Sequence, residues 1–106
     1  MSEPDRSAAR PVVVEQELTF TLYQLSRACL ADAEQLRALV DEGVLTPRAG
    51  NEPPQWVFAG DALTRARLAL RLTRDLDLNA AGAALVLDLL DQIDALQARL
   101  QRLGAR

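Results

Sequence analysis

The chain has 106 residues and a formal net charge of −3, and its hydrophobic fraction is 49 % although aromatics make up only 4 %. Alanine and leucine therefore carry the core, which favours a single, mainly helical domain over a sheet-rich one. The sequence has no His and a single Cys29, so the commonest general base, metal clusters and internal disulfides are excluded, and the acidic balance disfavours sequence-independent binding to nucleic acid.

Residues 1–12 hold two prolines, mixed charges and small side chains, and read as a flexible N-terminal arm. Leu18, Phe20 and Leu22 then alternate with Glu17, Thr19 and Thr21, which predicts a strand over residues 13–20. A first helix is expected over residues 22–29, with Leu22, Leu25 and Cys29 on its inner face and Cys29 as a small buried hydrophobe. After a tight Leu30-Ala31 connection, Asp32 with Gln35 three positions on forms a capping box for a second helix. Leu36, Leu39 and Val40 make its inward stripe, and Gly43 ends it. The opposite stripe is Glu34, Arg37, Ala38 and Asp41, two acids and one base facing outward, with Glu42 beside them.

Residues 46–55 are rich in turn formers and lie between Val44-Leu45 and Trp56-Val57-Phe58, so a β-hairpin is expected, the wing of a winged helix-turn-helix. Trp56 and Phe58 share one strand face and should close the core, with Val57 outward and Arg48 exposed on the wing. A third helix over residues 62–76 carries Arg65, Arg67, Arg71 and Arg74, expected to pair with nearby aspartates. Asn79 caps a long last helix in which Val86, Leu89, Ile93, Leu96, Leu100 and Leu103 recur in steps of three and four. That heptad rhythm predicts a pairing seam and a homodimer. The domain reading is thus an arm over 1–12, a winged helix-turn-helix over 13–78 and a dimerisation helix over 79–106.

The order strand, helix-turn-helix, wing, helix and pairing helix resembles the MerR family of transcription regulators. Thr21-Leu22, Leu25, Leu36-Arg37 and Glu42-Gly43-Val44-Leu45 with Pro47 carry that resemblance. A closer one is to the chaperone modulator family CbpM. It rests on Thr19-Phe20-Thr21-Leu22, Gly43-Val44-Leu45-Thr46-Pro47-Arg48 and Gln55-Trp56-Val57-Phe58, then Ala69-Leu70-Arg71-Leu72-Thr73-Arg74-Asp75-Leu76, Asn79-Ala80-Ala81-Gly82-Ala83-Ala84-Leu85 and Leu87-Asp88-Leu89-Leu90-Asp91-Gln92-Ile93. It spans residues 19–106.

What this resemblance implies is a regulator with no catalytic residues, no cofactor and no metal. Members of the family bind the J-domain of CbpA, a DnaJ-type co-chaperone, inhibit its co-chaperone work and weaken its DNA binding. A J-domain presents a basic helix to the DnaK-type chaperone, so an acidic surface laid over that helix would occlude it. The expected J-domain contacts are Glu34, Arg37, Asp41 and Glu42. Where MerR-type readers approach DNA with an arginine and aromatics, the matching positions here hold Glu34, Ala38 and Leu39. A carboxylate there would meet phosphate at short range, so direct DNA binding is not expected. The alternative is a MerR-like DNA-binding transcription regulator in which Arg37, Arg48 and the third-helix arginines hold phosphates. In the sequence no apolar run approaches the length needed to span a bilayer and no signal peptide is seen, so a cytoplasmic protein with no membrane partner is expected.

Overall fold

A computed structural model describes residues 18–104. Two three-residue strands, β1 (Thr19–Thr21) and β2 (Val57–Ala59), pair antiparallel with Phe20 opposite Phe58. Among the described residues the four α-helices are α1 (Leu22–Cys29), α2 (Ala33–Asp41), α3 (Asp61–Asp75) and α4 (Ala80–Arg102), with one turn of 3-10 helix at Pro53–Gln55. The chain is therefore mainly α, with a helix-turn-helix, a short sheet and a long final helix. None of these helices is long and apolar enough to cross a membrane.

Local chemistry sets the helix boundaries. Thr21, the last residue of β1, is also the N-cap of α1: its Oγ1 accepts from the Gln24 amide at 3.1 Å, and Gln24 Oε1 accepts from the Thr21 amide at 2.9 Å. Asp32 and Gln35 make the same reciprocal pair at α2, at 3.0 Å in both directions. Each box satisfies two amide groups that a bare helix end would leave without acceptors. Asn79 Oδ1 accepts from the Gly82 amide at 2.8 Å to start α4. Gly43, at φ 82°, is the left-handed glycine that follows α2.

Between α1 and α2 the left-handed position falls on Leu30, at φ 55°. Its amide and that of Ala31 donate to the carbonyls of Arg27 and Ser26, and the Ser26 hydroxyl donates to the Ala31 carbonyl. The turn is thus held shut by three bonds. They offset the roughly 1–2 kcal/mol that a Cβ costs in this region.

The core lies where the helix-turn-helix meets the sheet and α3. Leu22, Leu25 and Cys29 of α1, Leu36 and Leu39 of α2, Phe58 of β2 and Ala62, Ala66, Ala69 and Leu70 of α3 are all buried. The three alanines at i, i+4 and i+7 leave α3 with a shallow face against which neighbours pack closely. Ala83 and Leu87 dock the first turns of α4 on this core. Cys29 is buried as expected, and burial pushes its thiol pKa upward against the lowering influence of Arg67 and Arg74.

Three expectations change. The first strand is Thr19–Thr21, Leu18 lies outside it, and residues 13–17 fall outside those described, as do residues 1–12 of the predicted arm. The partner of β2 is β1 and not Val44-Leu45. The Val44 and Leu45 amides are taken by the Leu39 carbonyl at 2.9 and 3.3 Å, and both side chains enter the core, so neither is available for a ladder. The wing closes instead through Ala49 and Val57, with the Arg48 amide donating to the Val57 carbonyl at 2.7 Å and the Val57 amide to the Ala49 carbonyl at 3.0 Å. Gly50 permits this tight path: at φ 100°, a Cβ there would lie 2.2 Å from the Gln55 carbonyl oxygen. Third, Val57 is half-buried by this pairing and does not face fully outward. Trp56 and Phe58 do share a face, their rings meeting edge to face with centroids 6.1 Å apart.

Candidate functional site

The outward face of α2 follows from its capping box. With Asp32 fixing the start and Leu36 and Leu39 anchored in the core, the helical period turns Glu34, Arg37 and Asp41 to solvent. Glu34 is 81 % exposed, and Arg37 Nη1 approaches its Oε2 to 3.1 Å. The one cation of this face is thereby held by an internal carboxylate. Asp41 and Glu42 are exposed at the far end.

Glu42 also enters a second arrangement that α2 alone does not reveal. It lines a groove of about 330 Å³ together with Val44, Arg65 of α3, and Asp88 and Asp91 of α4. Arg65 reaches between the walls: Nε donates to the Val44 carbonyl at 3.1 Å and Nη1 to Asp91 Oδ2 at 3.4 Å. Three carboxylates face one guanidinium, so the groove carries a negative excess. In the sequence Asp88 and Asp91 belong to the segment Leu87-Asp88-Leu89-Leu90-Asp91-Gln92-Ile93 and are among the aspartates within reach of the third-helix arginines, with nothing to link them to Glu42. Their approach to Glu42 depends on how α4 crosses α2, a relation across more than forty residues that periodicity does not encode. The one usable signal was that Asp88 follows Leu87, whose burial turns its neighbour toward the domain's edge.

The predicted seam residues fall into two groups. Val86 is half-buried near the docked start of α4, whereas Leu89, Ile93, Leu96, Leu100 and Leu103 are between 47 % and 78 % exposed. Leu85 and Leu90 are exposed too, while Leu87 turns inward. Beyond Leu87, α4 therefore carries an apolar stripe that its own domain does not cover.

The arginines of α3 divide in a way the sequence did not predict. Arg65 pairs with Asp91, as expected of an aspartate on the last helix. Arg67, Arg71 and Arg74 are exposed, and among the described residues none of them makes an ion pair or a side-chain hydrogen bond.

Comparison with known proteins agrees with this architecture. The family model described as MerR HTH family regulatory protein matches residues 20–105. The Chaperone modulatory protein CbpM of Coxiella burnetii (strain Dugway 5J108-111) is 34 % identical over 92 residues, covering 87 % of this chain and 86 % of that one. That of Citrobacter koseri is 33 % identical over 85 residues, covering 80 % and 83 %. That of Pseudomonas putida (strain W619) is 34 % identical over 76 residues, covering 68 % and 74 %. With a helix-turn-helix, a long final helix and relatives aligned over most of their length, the chain belongs to the CbpM family of chaperone modulatory proteins, a branch of the MerR-type helix-turn-helix regulators.

Proposed function

We propose that this protein is a non-enzymatic chaperone modulator. It binds the J-domain of a CbpA/DnaJ-type co-chaperone and blocks the surface that the J-domain offers to a DnaK-type chaperone. The observation that carries the reading is the exposed carboxylate face of α2, where Glu34 holds Arg37 and Asp41 and Glu42 remain exposed. A basic helix of the partner would meet complementary charge along this face, extended past Glu42 by Asp88 and Asp91. Two copies paired through Leu89, Ile93, Leu96, Leu100 and Leu103 would cover the apolar stripe of α4 and present the acidic face twice. The names of the relatives support the modulating role.

The DNA-reading alternative is less well supported. Glu34, near the start of the helix that would enter the groove, would face phosphate, and Arg37 is already engaged. The test is a calorimetric titration of the full chain with a J-domain from the same organism, at low and moderate salt. Saturable, salt-sensitive binding at one J-domain per subunit is expected. A folded J-domain that produces neither heat nor complex would overturn the reading.

A further inference from the structure

Arg67, Arg71 and Arg74 lie at i, i+4 and i+7, on one face of α3. All three are exposed, and among the described residues no carboxylate pairs with them, although the chain as a whole is acidic. Helix-dipole complementarity accounts for Arg74 in the last turn but not for Arg67, about two turns earlier. Like charges at this spacing repel one another along the helix, and Asp75, four residues after Arg71, is the one carboxylate of α3 near the stripe and makes no ion pair with it among the described residues.

A second anomaly adjoins the stripe. Cys29, the last residue of α1, is buried in the same core as Ala66, Ala69 and Leu70 of α3, and the influence of Arg67 and Arg74 on its thiol agrees with a stripe that passes the C-terminal end of α1. The residue after Cys29 is Leu30, which is 88 % exposed and holds a left-handed backbone at φ 55°. Glycine or asparagine would suit that backbone better, and a polar side chain would suit that exposure. Leucine meets neither local requirement. The described residues leave it uncovered, whereas an apolar partner would cover it.

We propose that Leu30 with Arg67, Arg71 and Arg74 forms a second interaction surface, which docks an acidic polypeptide segment carrying an apolar side chain among its carboxylates. Guanidinium forks pair with carboxylates in a fixed geometry, and the leucine supplies an apolar contact that a phosphate backbone would not use. The observed mixture of charge and exposed leucine therefore favours polypeptide over nucleic acid. The surface is carried by α1 and α3, not by the acidic face of α2, and it stands independently of the J-domain reading.

The test uses the full chain and a fluorescein-labelled synthetic helix with glutamate and leucine at i, i+4 spacing, followed by anisotropy, with a labelled DNA duplex of mixed sequence in parallel. Saturable binding of the peptide is expected. Replacing Arg67, Arg71 and Arg74 together by glutamine should weaken it by about tenfold or more. Leu30→Gly separates docking from folding: it relieves the left-handed backbone, so the Tm should hold or rise while peptide affinity falls severalfold. Absence of saturable binding to the folded chain, peptide affinity unmoved by the triple substitution, or tighter binding to the duplex than to the peptide would each overturn the proposal.

Discussion

Glu34 Oε2 and Arg37 Nη1 lie 3.1 Å apart on the exposed face of α2, one turn from each other. Exposed pairs of this kind contribute little to stability, about 0.2–1 kcal/mol. The pair matters for what it does to recognition: it occupies the one arginine that a DNA-reading version of this helix would use, and leaves Asp41 and Glu42 to set the sign of the surface.

Reversing that sign should reverse the partner preference. Glu34→Arg is expected to weaken the J-domain complex by about tenfold, chiefly through slower association and with a shallower dependence on salt. Arg71→Glu should leave that complex nearly unchanged. Calorimetry on both variants checks this. Equal losses for the two would show that the α2 face is not the contact.

Asp32 distinguishes a cap from a contact. Its carboxylate accepts from the Gln35 amide at 3.0 Å, so Asp32→Ala should lower stability by about 1 kcal/mol. J-domain affinity, measured well below the Tm, should change little. Thermal unfolding with a parallel titration reads both quantities, and a large affinity loss would move Asp32 into the binding surface.

Leu96 tests the pairing helix. It is 55 % exposed on the uncovered stripe of α4, so Leu96→Asp should leave the monomer fold intact by circular dichroism and abolish self-association in sedimentation velocity. A variant that still sediments as a dimer would remove α4 from the interface.

Cys29 reports on core integrity. Burial raises its pKa from an unfolded value of 9.0, so the thiol stays protonated where an exposed one would ionise. Alkylation by iodoacetamide at mildly alkaline pH should be slow in the folded protein and fast in urea. The same shift makes folded-state stability fall as pH rises above about 9, because the unfolded chain then releases the thiol proton first. A fast reaction in the native state would show that the end of α1 opens readily.

Much of the fold is legible in the sequence. The apolar period alone places the first helix at the residues it occupies, and the Thr21 cap adds to it in the structure. Asp32 with Gln35, Gly43 and Asn79 marked the ends of α2 and the start of α4 by chemistry that acts within four residues. The outward position of Glu34, Arg37 and Asp41 follows from the same short-range period. Val44 and Leu45 were misread because an apolar pair beside a turn fits a strand and a core loop equally well, and only the Leu39 carbonyl decides between them.

The sequence by itself therefore determined the helices, the family resemblance and the sign of charge on the helix faces, since all of these depend on neighbours within a turn or two. Tertiary structure decided the rest. It paired β2 with β1 across the whole helix-turn-helix, and drew Glu42 toward Asp88 and Asp91 around Arg65. It also engaged Arg65 and left Arg67, Arg71 and Arg74 without carboxylate partners among the described residues. The physical reason is that an ion pair or a strand ladder requires two groups to meet in space, and helical period specifies direction from one axis but not where a second axis will cross it.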